Sequence, residues 1–169
     1  MGKLIEKFKG FLNNNEPVVR IEDKKKKNID NIREVAENYY RDGDYYCSEA
    51  IVKAFIEEFD LKLDDSAVGM ASAFPVGIGG KGCTCGALTG ATMMIGYFYG
   101  RREKGSKQVE KSMELSAKLY DEFVKNNKST CCRVLTSGMK KGSKKHMDQC
   151  VRLTGEMAYK SAQIILDEM

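Results

Sequence analysis

The chain has 169 residues, 42% of them hydrophobic and 31% charged, which is enough for one domain with its own core. Its 28 basic and 24 acidic residues leave a net charge of +4, and this modest value does not indicate a nucleic-acid partner. No stretch of about 18 apolar residues occurs and charges interrupt the first twelve positions, so we expect neither a transmembrane span nor a signal peptide. We therefore expect a cytoplasmic protein, in which six cysteines point to metal binding or redox chemistry.

Residues 1–27 are predicted to form an appendage to a domain that covers 28–169. Apolar residues recur there at helical spacing with lysines on the opposite face: Leu4, Ile5, Phe8, Phe11 and Leu12. This amphipathic segment could dock on a partner, a second subunit, a membrane surface or its own domain. The residues that follow lack periodicity, include the run Lys24–Lys27, and are typical of a linker.

Three helices are predicted in the first half of the domain. The first begins near residue 28 and ends at 42–44, with an apolar stripe made of Ile29, Ile32, Val35, Ala36, Tyr39 and Tyr40. The second covers about 45–59 and places Cys47 in its first turn, on the buried side. A short third helix covers about 64–73 and ends before Pro75, because a residue that precedes proline disfavours the helical conformation.

The second half begins with a glycine-rich loop, FPVGIGGKGCTC, which leads directly into another helix. Small residues fall four apart on that helix, and they predict close approach of a neighbouring helix: Gly86, Gly90, Gly96 and Gly100. A further helix ends near 126–127, a loop holds Cys131 and Cys132, and a last helix of about 22 residues carries Cys150. No strand is predicted, so we expect an all-α protein, a compact bundle of about five or six helices.

Cysteine carries the chemistry, because the chain has one histidine and neither a nucleophile elbow nor a phosphate-binding loop. Cys85 is predicted at a helix N-terminus, where free N–H groups favour the thiolate, and Cys47 shares part of this effect. A thiolate can attack a disulfide or bind a soft metal. His146 and Cys150 lie four residues apart on one helix and could share a metal ion. The alternative is that the cysteines are small buried apolar residues.

Four segments resemble the redox-active protein family that is named for the cysteine pattern C…CGAxxG…C…C. They are CSEAIVKAF with Cys47, CGALTGATMMIGYFYG with Cys85, CRVLT with Cys132, and HMDQCVRLTGEMA with Cys150, and the resemblance covers about residues 30–168. It implies a helical redox protein. Cys83 and Cys131 are additional to the pattern, and no C-x-x-C-H motif for haem attachment is present.

The leading hypothesis is that the thiolates of the four pattern cysteines, Cys47, Cys85, Cys132 and Cys150, hold an iron–sulfur cluster or another transition metal for electron transfer. Cys83, Cys131 and His146 are further candidate ligands. Such a protein is an electron carrier or an oxidoreductase with an unidentified redox partner protein. It does not bind nucleic acid, and its small-residue helix faces make a homodimer plausible.

Two alternatives remain open. In the first, the protein exchanges thiols and disulfides: Cys85 and Cys47 are catalytic, with Cys85 attacking and either Cys47 or Cys132 resolving the mixed disulfide. In the second, the chain is a non-redox interaction module that buries its cysteines and recruits a partner through the N-terminal segment.

Overall fold

Seven helices make up the described part of the chain, residues 16–21 and 29–169 of a computed structural model. They are α1 (Ile29–Asp42), α2 (Cys47–Glu58), α3 (Ser66–Ala71), α4 (Gly86–Tyr99), α5 (Gln108–Asn127), α6 (Cys132–Leu135) and α7 (Lys144–Asp167). Five of the seven have 12 or more residues. In the described ranges, β-pairing is limited to one isolated bridge, between Thr84 and Cys131. The predicted all-α bundle is therefore confirmed.

The long helices form where apolar residues repeat every three or four positions. In α1 the residues Ile32, Ala36 and Tyr40 are buried along one face, and this face packs along α7. Helix α7 is capped by Ser143, whose hydroxyl accepts a hydrogen bond from the backbone N–H of His146. The predicted loop at Cys131-Cys132 is wrong in one respect: a single helical turn, α6, begins at Cys132.

Helix α4 lies in the core and packs against α2, α5 and α7. At Gly90, an added Cβ would come within 2.7 Å of the Ser48 carbonyl oxygen and 2.8 Å of the Ser48 Cα, so only glycine allows α2 to approach this closely. The prediction of close approach to a neighbouring helix is wrong for Gly96 and Gly100. Among the described residues nothing lies within 4 Å of a Cβ built at Gly96, and Gly100 follows the helix as its C-cap.

The glycine-rich loop between α3 and α4 folds back on itself. Gly82 N–H donates to the Val76 carbonyl at 3.0 Å and Cys83 N–H to the Gly77 carbonyl at 3.0 Å. Gly77 has a φ of 71°, and a Cβ there would overlap the Cys83 backbone nitrogen. The loop then pairs with the segment before α6, where Cys85 N–H donates to the Thr130 carbonyl at 2.8 Å. It therefore brings residues 83–85 beside residues 130–132.

Residues 16–21, which fall in the predicted linker, lie against the helical domain. Val18 N–H donates to the Phe98 carbonyl at 2.6 Å, and the Gln108 side chain donates to the Glu16 carbonyl at 2.8 Å. Ile21 is buried. The predicted amphipathic segment over 1–12 and the run Lys24–Lys27 lie outside the described residues. No helix in the described ranges is both long and apolar enough to cross a bilayer.

Candidate functional site

A small cavity of about 30 Å³ lies where α1, α2, α4, α6 and α7 meet the glycine-rich loop. This volume corresponds to about two water-sized spheres. Its lining is mainly apolar and includes four cysteines: Tyr40, Cys47, Val76, Cys85, Gly86, Ala87, Cys132, Leu135, Thr136, His146, Cys150 and Leu153. The fold therefore brings Cys47, Cys85, Cys132 and Cys150 together from four helical segments, whereas Cys83 and Cys131 do not line the cavity.

Three of the four cavity cysteines stand at helix N-termini. Cys47 is the first residue of α2, Cys85 is the N-cap of α4, and Cys132 is the first residue of α6. The N–H groups at a helix start have no partner within the helix, so they are available to sulfur. The backbone N–H groups of Ala87 and Leu88 face the Cys85 sulfur and lower the pKa of its thiol. The sequence predicted this arrangement for Cys85.

Burial nevertheless determines the protonation of these thiols. It raises the pKa of Cys47 to about 12, with the neighbouring Cys85 adding to the effect, and raises the pKa of Cys85 to about 11. Burial also raises the pKa of Cys132 and Cys150. The prediction that Cys85 favours the thiolate is therefore wrong for this environment, because desolvation outweighs the helix N-terminus. All four cavity cysteines are neutral thiols at neutral pH.

Two further side chains contact the Cys150 sulfur. The buried Tyr40 hydroxyl hydrogen-bonds to it, which lowers the pKa of Cys150. The pKa of Tyr40 is raised, first by burial, then by the charge of the Cys150 thiolate and by this hydrogen bond. His146 Nε2 lies 3.9 Å from Cys150 Sγ. Sequence reasoning missed Tyr40, which it placed only in an apolar stripe. The available signal was that a buried tyrosine hydroxyl needs a hydrogen-bond partner.

The bridge between Thr84 and Cys131 separates the two adjacent cysteines. Cys131 pairs with Thr84 and lies against the loop, whereas Cys132 begins α6 and lines the cavity. The Cys131 thiol donates to the Gly82 carbonyl at 3.2 Å. Cys83, on the other side of the bridge, is exposed.

Residues 45–164 match the family described as "Putative redox-active protein (C_GCAxxG_C_C)". The chain belongs to this family. The match spans all six cysteines, and it confirms the resemblance inferred from the motifs. Neither a curated protein nor a solved structure gives a significant match to the chain.

Gly86 follows Cys85 directly and is the first residue of α4. A Cβ at position 86 would overlap the Cys47 sulfur. Glycine at position 86 therefore allows Cys47 to lie beside the start of α4, next to Cys85.

The cavity is not a preformed site for a single ion. Within residues 16–21 and 29–169, no three cysteine, histidine or acidic side chains are arranged so that they could hold one metal ion. The donor set is nevertheless suited to soft metals, because it offers four sulfurs with one imidazole beside them.

The raised pKa values predict that the reduced protein, kept with a chelator, loses stability at alkaline pH. An unfolded cysteine ionises near about pH 8.5, whereas the folded pKa values of Cys47 and Cys85 are about 12 and about 11. Because the folded pKa values are higher, the contribution of these thiols to the free energy of unfolding is complete below the unfolded pKa. It is lost as the pH rises from the unfolded pKa through the folded values. Urea unfolding at about pH 8 and about pH 10 measures this loss. A Cys47→Ala variant with an unchanged loss would contradict the assignment.

Proposed function

We propose that Cys47, Cys85, Cys132 and Cys150 bind a soft metal centre, in first place an iron–sulfur cluster, and that the protein transfers electrons through it. The observation that supports this proposal is that four sulfurs from separate helical segments line one small apolar cavity. The family's description as redox-active agrees with it. We further propose that the protein works in a reducing compartment such as the cytoplasm, where free cysteines persist.

The electrostatics of the cavity favour a bound cation. Burial makes ionisation of Cys47 and Cys85 unfavourable, and it is the largest cause of the raised pKa of each. A metal cation displaces the thiol protons and compensates the charge of the thiolates. The N–H groups that face Cys85 then donate to a charged sulfur, which is a contact that tunes the reduction potential of an iron–sulfur centre.

We propose a multi-iron centre in preference to a single ion. One tetrahedral ion requires its sulfurs at about 2.3 Å from a common point, and the described residues contain no such group of three. A cluster would be held by the four cysteine thiolates together. Because the cavity has a volume of only about 30 Å³, we expect the cysteine side chains to move outward on binding.

A second candidate function, thiol–disulfide exchange, is favoured by the position of Cys47 against Gly86 and next to Cys85. The Cys85 thiolate would attack a substrate disulfide, form a mixed disulfide and release one substrate thiolate. Cys47 would then displace the second substrate thiolate. The pair loses two electrons as a Cys47–Cys85 disulfide, and the substrate disulfide gains them as two thiols. The raised pKa values slow this reaction near neutral pH, so it ranks second.

Anaerobic purification followed by iron and acid-labile sulfide analysis tests the proposal. We expect brown protein with a visible charge-transfer absorption and near-equal amounts of iron and sulfide. Colourless protein that loses two free thiols on mild oxidation would support the exchange reaction instead. Thiols that stay inert until the protein is denatured would contradict both functions. Aerobic samples do not decide, because oxidation of a cluster also leaves disulfides.

A further inference from the structure

A strongly basic part of the surface adjoins the cysteine cavity. Residues 123–147 contain no aspartate or glutamate, and the loop residues 73–85 contain none either. We use the name basic face for the exposed cations of these two segments that lie nearest the cavity: Lys81, Arg133, Lys140, Lys141, Lys144 and Lys145. These two segments therefore place a cluster of positive charge beside the site.

Contacts between the two segments make the basic face continuous. The Arg133 side chain lies against Gly82 and donates to the Lys81 carbonyl at 2.8 Å, which joins α6 to the glycine-rich loop. Lys144 and Lys145 line an open groove along α7 together with Met139, Asp148, Gln149 and Arg152. Gln149 in turn donates to the carbonyl of Leu135, a residue that lines the cavity. The basic face thus extends from the glycine-rich loop, past the edge of the cavity, to the groove.

Charged residues are distributed unevenly around the cysteine cavity. Arg133 follows Cys132 in α6, and Lys145 precedes His146 in α7, so each cation neighbours a cavity residue. The α1–α2 turn, which adjoins the cavity through Tyr40, carries Asp42 and Asp44, and the preceding Arg41 is paired with Glu37 at 3.4 Å. The positive charge beside the cavity is therefore greatest on the α6, α7 and loop side, which would orient a charged partner.

Two exposed apolar residues accompany the basic face. Ile78 is 44% exposed in the loop and Val134 is 58% exposed in α6, beside Arg133. Apolar groups surrounded by charges are typical of transient protein–protein interfaces. Among the described residues, the one ion pair of the basic face joins Lys144 to Asp148, and both side chains are largely exposed, so it competes weakly with a partner.

We propose that the basic face is the docking surface for an acidic electron-transfer protein, which exchanges electrons with the cysteine site through the adjoining cavity wall. The proposal rests on the proposed redox function. Complementary charge steers such partners and accelerates their association. Nucleic acid fits less well, because residues 74–85 and 128–147 contain one aromatic residue, Phe74, and it is not exposed for stacking on bases.

Nuclear magnetic resonance of the isotope-labelled protein tests the docking, with a flavodoxin as the acidic probe. At about 20 mM salt we expect saturable shift changes confined to residues near the basic face, and at about 300 mM salt we expect them to vanish. The Lys140→Glu/Lys145→Glu variant is expected to bind about tenfold more weakly. The Lys104→Glu/Lys118→Glu variant changes the net charge equally at exposed positions in other parts of the chain, and it should bind like the wild type.

Three results would overturn the docking proposal. They are equal weakening in both double variants, shift changes centred elsewhere on the chain, and tighter binding of a DNA duplex or of anionic lipid vesicles to the same residues. Shift changes report binding whatever the redox state. A failure of docking is therefore separable from a failure of the iron and sulfide analysis, which tests the redox function alone.

Discussion

Anaerobically purified Cys85→Ser protein is expected to contain less than about one tenth of the wild-type iron and sulfide, because replacing the sulfur removes a metal ligand. Cys85 is the most suitable of the four cavity cysteines for this experiment. It is 5% exposed, lines the cavity, and has two backbone N–H groups facing its sulfur. Iron and sulfide per chain, together with the visible absorption, provide the measurement.

The two cysteine pairs supply matched controls for this prediction. Cys83→Ser makes the same chemical change two residues before Cys85, and Cys131→Ser makes it one residue before Cys132. Neither Cys83 nor Cys131 lines the cavity. Both variants are expected to retain the wild-type iron content, whereas Cys132→Ser should lose it. If Cys131→Ser lost as much iron as Cys132→Ser, the separation of these neighbours by the bridge would be refuted. Circular dichroism would establish that each variant is folded.

Gly90→Ala is expected to destabilise the protein by about 2 to 3 kcal/mol, since overpacking of this kind forces backbone shifts. The added Cβ would meet the Ser48 carbonyl oxygen at 2.7 Å and the Ser48 Cα at 2.8 Å. Ser48 is fully buried and its hydroxyl donates to the Ala71 carbonyl at 2.9 Å, so the start of α2 cannot easily move away. Urea unfolding of the reduced protein measures the change.

Gly96→Ala is the matched control in the same helix. No described atom lies within 4 Å of the Cβ that it adds, and alanine is the better helix former. This variant is therefore expected to stabilise the protein by about 0.5 to 1 kcal/mol. We therefore expect the changes in the free energy of unfolding to have opposite signs in the two variants. A similar loss of stability in both variants would contradict the assignment of the Gly90→Ala effect to the contact with Ser48.

Local sequence patterns were sufficient for much of this structure. Apolar spacing predicted the long helices, and the same periodicity placed Cys47 in a first turn and Cys85 at a helix start. The order of the four motifs was sufficient to identify the family, which residues 45–164 confirm. These features depend on residues that are close in the chain, so one sequence carries the information.

Features that depend on distant residues could not be predicted in this way. Local patterns do not distinguish Cys131 from Cys132, and only the family resemblance selected Cys132; in the structure, Cys131 pairs with Thr84, which is far away in the chain. The four-residue spacing of Gly96 and Gly100 resembles that of Gly86 and Gly90, yet only the latter pair meets another helix. A helix start is visible in sequence, but burial is a tertiary property, and it reverses the expected direction of the pKa shift of Cys85.

Helix α1 packs against the stretch of the chain that matches the family, although it lies outside that stretch. It ends at Asp42, before the first residue of the stretch by which the family is recognised, 45–164. Even so, α1 covers a long side of α7, and its Tyr40 forms part of the cavity wall and holds the Cys150 sulfur. A fragment trimmed to the recognised stretch would expose apolar α7 residues to water and open the cysteines to solvent. We therefore expect the smallest unit that folds on its own to begin upstream of Cys47, at or before Ile29.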